Sequence, residues 1–259
     1  MDADTPTTAE LSLPQAFLLL ATNDKDGKPE VPLFALRTTL AGAILAELDL
    51  IGAIELQGKH VRATGAAPTT DLQHELELIR GKSRPHTPKR WVSMLEGRAE
   101  VQRIYEGMAS QGIVERVGEK RLGLFRSTRY PEKDHGPEAA LLEKVSAALS
   151  GAPPEPGKAN PAAPDPAEAE SKAADAGSPE SDKGPDAVKP EGAKSASQAL
   201  DDRTAALIAL LQAAGLFGKL FPAADRVRAD EMAKDYWPAR AVEDELRLIR
   251  LAQEEAATL

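Results

Sequence analysis

The densest chemistry in this sequence is cationic. Twelve lysines and arginines stand between Arg80 and Arg129, in a chain of 259 residues with a formal net charge of -9 and a pI of about 5.1. Guanidinium forks match the oxygens of phosphates and carboxylates, so a cluster of them on one face makes a local anion site within an acidic molecule. Taken singly, each of these residues reads first as an ordinary solvated charge on a helix or hairpin. More specific is RLGLFRSTRYP, where Leu122, Leu124 and Phe125 are interleaved with Arg121, Arg126 and Arg129. We read it as the outer strand of a hairpin. Such a strand can place apolar side chains among lipid headgroups while its cations meet anionic lipid. It can equally pack as a sheet edge against the domain or a second subunit, because alternation along a strand always leaves one buried face.

Other chemistries lack their residues. His60, His74, His86 and His135 show no i, i+4 pair, so neither a metal centre nor any cofactor is expected. His74-Glu75 opens a zincin-like pattern that no second histidine completes. The absence of cysteine removes disulfides and thiol nucleophiles and fits a reducing compartment. There is no GxSxG elbow, no glycine loop that would cradle a phosphate, and no dinucleotide fingerprint. The chain therefore reads as non-enzymatic. Met1 to Glu10 lacks the basic and apolar parts of a signal peptide. No apolar run reaches the ~18 residues that a membrane span needs.

The elements that must position these residues are mostly helical. In LAGAILAELDLIGAIELQGKHVRA, Leu40, Ile44, Leu48 and Ile51 define one helical face. Gly52 stops that helix, and two short strands turn about Gly58-Lys59. The pattern returns from Ile104 to Phe125 with Gly112 as the stop and Gly118 as the turn. Each unit alone describes a winged helix. Ser12 is placed to cap a buried helix ahead of Pro14, and Lys28 to Leu33 reads as extended. Thr70-Asp71 caps a helix through Leu76 and Ile79. Trp91 starts another that breaks near Gly97, and Pro137 to Leu149 is helical. Asp201-Asp202 caps an apolar helix, and the last helix, Ala239 to Ala256, sets Val242, Leu246, Ile249 and Leu251 on one face. Between them the composition turns to Pro, Ala, Gly, Ser, Lys and acids, too poor in large apolar residues to offset the entropy of ordering. The expectation is a mainly α fold: a single multi-helix domain with winged-helix-like helix–hairpin units and one protruding β-hairpin. That domain covers 11–149 and 200–259, after a disordered N-terminus at 1–10. Residues 150–199 form a disordered acidic, Pro/Ala-rich insertion.

LSLPQAFLLLATNDKDGK, LAGAILAELDLIGAIEL, MASQGIVERVGEKRLGLF and DDRTAALIALLQAAGLF, in this order, resemble the Golgi phosphoprotein three family, with the Ala- and Pro-rich composition of a bacterial-type member. The resemblance implies a helical domain with a protruding hairpin, here Val117 through Thr128, used in self-association and membrane contact. It also implies a peripheral membrane adaptor that binds phosphatidylinositol 4-phosphate and protein tails. The family's lipid site uses a Trp, an Arg in an LRG sequence and two Arg one helical turn apart. These positions fall on Pro32, Ala41, Arg98 and Val101. Arg98 is thus the retained match, with Arg37 and Arg103 as nearby substitutes in sequence. Each lost charge-assisted contact removes about 1.5–3 kcal/mol.

The leading reading is a cytoplasmic protein, peripheral on the cytosolic membrane face, whose partners are anionic phospholipid headgroups. Arg37, Arg98 and Arg103 would bind the headgroup. Arg121, Leu122, Leu124, Phe125 and Arg126 would form the membrane or oligomer hairpin. A soluble oligomeric interaction module is the first alternative. A winged-helix nucleic-acid binder is the second, weakened because its recognition helix, Thr38 to Leu50, carries Glu47 and Asp49 and no base.

Overall fold

The computed structural model describes residues 10–65, 68–121, 125–150 and 191–257, with the backbone alone at 119–121, 125–127 and 191–201. Its central element is the helix α2, Leu33–Leu50, preceded by α1, Leu13–Leu20. Ser12 begins α1, its N–H donating to Gln15 Oε1 at 3.1 Å. Of the 18 residues of α2, those from Thr38 to Leu48 are all buried, because α1 and four later helices pack around them. The spacing predicted one apolar face; the helix is enclosed on every side. Ala41, Ala43 and Ala46 sit among the large residues and let neighbouring backbones approach. α2 also begins earlier than its apolar face suggested, at Leu33, where Pro32 holds φ at -54° and its carbonyl accepts from Leu36 N at 3.0 Å.

The first hairpin, β1 Ile54–Gln57 and β2 His60–Ala63, pairs Ile54 with Ala63 and Gln57 with His60. Then come α3, Gln73–Arg80, α4, Pro88–Leu95, and α5, Arg98–Ser110, with the break at Gly97. The second hairpin, β3 Val117–Arg121 and β4 Phe125–Arg129, pairs Val117 with Arg129 and Arg121 with Phe125. The segment RLGLFRSTRYP is therefore not one strand, since Arg121 ends β3 and Phe125 opens β4. Leu122 and Leu124 lie outside the described residues. The hairpins form separate two-stranded sheets.

Four helices follow α6, Gly136–Ser150: α7, Glu191–Ala214, α8, Phe217–Leu220, α9, Arg226–Ala233, and α10, Trp237–Ala257. Asp201-Asp202 does not start α7; the helix runs through both from Glu191, the small residues Ala193, Ala196 and Ala199 offering no stop signal. The readings of 1–9 and of 151–190 as disordered lie outside the described residues. On α10, Val242 and Leu246 are buried and Ile249 packs against the core, but Leu251 is 49% exposed, the helix having passed beyond the body it lies on.

The core is continuous across the 151–190 segment. Ile44 and Leu48 of α2 belong to the same buried cluster as Leu207, Leu210 and Leu211 of α7 and Val242 of α10. The tightest point is Gly42, where a Cβ would lie 2.2 Å from Val242 Cγ2 and 3.4 Å from Leu210 Cδ2. A half-buried ion pair spans the same gap in sequence. Arg203 of α7 donates to both oxygens of Glu47, at 2.6 and 3.0 Å, and Glu47 also accepts the N–H of Leu13 at 2.7 Å.

Candidate functional site

The first turn of α5, the start of α2, the turn after α1 and the end of β4 meet at an open groove of about 720 Å³. Arg37 and Arg98, 61 residues apart in sequence, both line it, together with Lys28 and Arg129. Among the described residues no carboxylate comes within ion-pairing distance of Arg37 or Arg98. The charge of Arg37 acts on the Glu96 carboxyl. Burial holds that carboxyl above the usual range, against the Thr38 hydroxyl bond and the Arg37 charge. Lys28 pairs with Asp26 in its own turn, which leaves the groove a surplus of positive charge.

Two helix starts reach the groove. Leu33, the first residue of α2, and Arg98, the first of α5, both line the groove. Their cap residues, Pro32 and Gly97, provide no side-chain acceptor for the first-turn N–H groups. At α2 such an end carries partial positive charge and unfilled donors, a combination that suits phosphate oxygens, whereas at α5 the first-turn Glu100 carboxylate lies against Gly97. The floor is apolar: Tyr105 and Tyr130 stack with ring centroids 4.4 Å apart beside Leu36 and Val101. Tyr105 is fixed by a 2.6 Å hydroxyl bond to Thr22, and its burial pushes its hydroxyl up to about 12, so it stays neutral.

Gly27 lets the wall close. At φ +62°, its missing Cβ would lie 2.5 Å from Pro131 N and 2.6 Å from Tyr130 N. Only glycine brings the Lys28 turn against the end of β4 in this way.

The residues expected to act together are thus partly united. Arg37 and Arg98 converge, and Pro32 and Val101, at the positions that the family resemblance assigns to Trp and Arg, line the same groove. Arg103 lies elsewhere: it ion-pairs with Glu75, whose side chain is fully buried, and donates to the Asp71 carbonyl at 3.1 Å. It anchors α5 to α3. Arg80 and Arg116 likewise pair with Glu77 and Glu106. The backbone of Arg121, Phe125 and Arg126 stands in the second hairpin, whose Thr128 and Arg129 line the groove. Lys28 was missed because nothing local marks it; only the close approach at Gly27 brings it to the site.

A second cluster of charged groups lies behind this wall. Asp24, Glu132 and His135 each place a ligand-capable atom within 4.8 Å of the others. Beside them burial, and then the charges of Asp24 and Glu132, push the Glu138 carboxyl up to about 8. No motif spacing links these four residues, so the cluster is not legible from sequence.

No helix among the described residues is long and apolar enough to cross a membrane. No curated protein matches the chain in sequence. The model of the family described as Golgi phosphoprotein 3 (GPP34) does match it, over residues 13–249. That match takes in every element lining the groove and most of the helices that enclose α2, and so the chain belongs to the Golgi phosphoprotein 3 (GPP34) family.

Proposed function

We propose that this protein is a non-enzymatic peripheral membrane adaptor, and that its groove receives the phosphorylated headgroup of an anionic lipid. The observation that carries the reading is the convergence of Arg37 and Arg98, without internal carboxylate partners among the described residues, on one open groove between two uncapped helix starts. A chain of net charge -9 gains nothing internally by holding two guanidinium groups there; an external anion supplies what the fold does not. Leu33, 57% exposed at the rim, adds an apolar edge suited to the headgroup boundary. Family membership supports a phosphoinositide as the ligand. Val101 and Pro32 in the groove favour charge-based recognition with fewer specific contacts. The second hairpin would touch the bilayer through Leu122, Leu124 and Phe125, and Arg121 and Arg126 would meet lipid charge.

The nucleic-acid alternative loses its reading surface, because the proposed recognition helix, α2, is enclosed from Thr38 to Leu48. Self-association through the hairpin is compatible with lipid binding, and size measurement on hairpin variants separates the two.

Liposome flotation tests the proposal. The protein should float with vesicles of phosphatidylcholine containing anionic phospholipid or phosphatidylinositol 4-phosphate, and not with phosphatidylcholine alone. The Arg37→Ala/Arg98→Ala variant should lose about 2 kcal/mol, roughly thirtyfold, at ~1 kcal/mol per cation near an anionic surface. Serine at 122, 124 and 125 should weaken recovery independently of headgroup. Failure to float on any vesicle at low salt would sink the adaptor reading.

A further inference from the structure

We propose that Asp24, Glu132 and His135, with Glu138 at their side, form a binding site for a divalent first-row transition cation. Three segments meet there: the turn after α1, the link from β4 to α6, and the first turn of α6. Their meeting is fixed by the backbone, with Glu132 N donating to the Asp24 carbonyl at 3.0 Å. Side-chain atoms able to act as ligands, one from each of Asp24, Glu132 and His135, fall within 4.8 Å of one another.

An independent observation concerns Glu132. Its side chain is only 2% exposed. One carboxylate oxygen meets His135 Nδ1, and the other is buried with no hydrogen-bond partner. A carboxylate removed from water is tolerated when a cation or a set of donors compensates it. Elsewhere this fold supplies a cation: Glu47 has Arg203, Glu75 has Arg103, and Glu30 has Lys219. Around Asp24, Glu132 and Glu138 no lysine or arginine forms an ion pair among the described residues. Glu138 brings a further carboxylate to the other two, not a cation. A metal ion is the compensation that this arrangement lacks.

The donor set narrows the ion. Carboxylate oxygens with one imidazole nitrogen and no sulfur suit Zn²⁺ and Mn²⁺; magnesium and calcium take oxygen ligands and would not use the histidine. Access is provided by a cavity of about 310 Å³ lined by Asp24 and Glu138. Gly27 and Lys28 on one segment and Arg129 and Tyr130 just ahead of the other line the anion groove, so a bound ion would brace that groove's wall. The metal site itself stands whether or not the groove binds lipid.

The test uses the full chain, freed of metal with EDTA and titrated calorimetrically with ZnCl₂, MnCl₂ and MgCl₂, with melting followed in parallel. We expect one equivalent of Zn²⁺ bound more tightly than Mn²⁺, as the order of divalent affinities requires, and a melting temperature that rises with occupancy. His135→Ala and Asp24→Asn should each weaken Zn²⁺ binding at least tenfold, and because His135 is exposed its variant should fold normally. No saturable binding of Zn²⁺ or Mn²⁺ would overturn the proposal. So would Zn²⁺ affinity unchanged in both variants, which would assign the ion to other histidines, or Mg²⁺ binding as tightly as Zn²⁺.

Discussion

Helix α2 has two ends that treat charge in opposite ways. Near its C-terminus Glu47 is clamped by Arg203 and Leu13 N, and Asp49 accepts from Trp237 Nε1 at 3.1 Å. In its second turn Arg37 faces the groove with no acid in ion-pairing range among the described residues. Both placements oppose the helix dipole, which favours anions at the start of a helix and cations at its end. At the C-terminal end the fold corrects the mismatch itself, drawing on a residue 156 positions away. At the N-terminal end no carboxylate among the described residues does so, and the uncapped N–H groups of α2 add to the same positive field. The closed end is stability chemistry; the open end is a place for something from outside.

The sharpest way to break this contrast is at the closed end. Arg203→Met leaves Glu47, only 8% exposed, with a charge and no counterion, and should cost about 3–5 kcal/mol of unfolding free energy in urea denaturation without changing liposome recovery at temperatures where the variant is folded. A neutral result would mean that the clamp is not what ties α7 to α2. At the open end the double Arg37→Ala/Arg98→Ala variant should stay within about 0.5 kcal/mol of the parent in the same assay, its defect confined to binding. A large loss of stability there would show these arginines to be structural, as Arg103 is. In the other direction, Val101→Arg adds a further guanidinium one helical turn from Arg98, and should raise affinity for anionic vesicles by about 1 kcal/mol, roughly fivefold.

The two ends also differ in how far the sequence reveals them. Helix positions, the glycine stops and the first hairpin follow from apolar spacing and turn residues, which act over a few positions and can be read locally; the second hairpin turns later than its glycine suggests, since Gly118, expected at the turn, pairs with Thr128 within β3. The burial of α2 on all sides could not be read, because it depends on α7 and α10 returning from the far end of the chain; the close contact at Gly42 records that return. Arg98 was marked by the family resemblance and Arg37 only by proximity in sequence. Arg103 looked equivalent to both until Glu75 was found beneath it. The difference between a free and a neutralised guanidinium is a tertiary fact. The Asp24, Glu132 and His135 cluster was unreadable for the same reason, being assembled by a backbone contact between segments more than a hundred residues apart.

The smallest expected effect lies again at the closed end, at Asp49. Burial holds its carboxyl above the ordinary value of 3.8, and the hydrogen bond from Trp237 acts against that rise. Its charge in turn helps push the neighbouring Tyr236 hydroxyl upward, after burial as the main cause. Because the folded state holds the Asp49 proton more tightly than the unfolded chain, this group's contribution to stability is complete below pH 3.8 and is lost as pH rises through the higher folded value. At neutral pH the ionised carboxylate is therefore a net cost that the Trp237 bond only partly offsets. Asp49→Asn keeps an acceptor for Trp237 and removes the charge, so it should give a small gain in urea midpoint at pH 7 and none at pH 3, with groove binding untouched. An equal gain at both pH values would place the effect in packing, and a loss at pH 7 would show that the charge itself helps to close this end of α2.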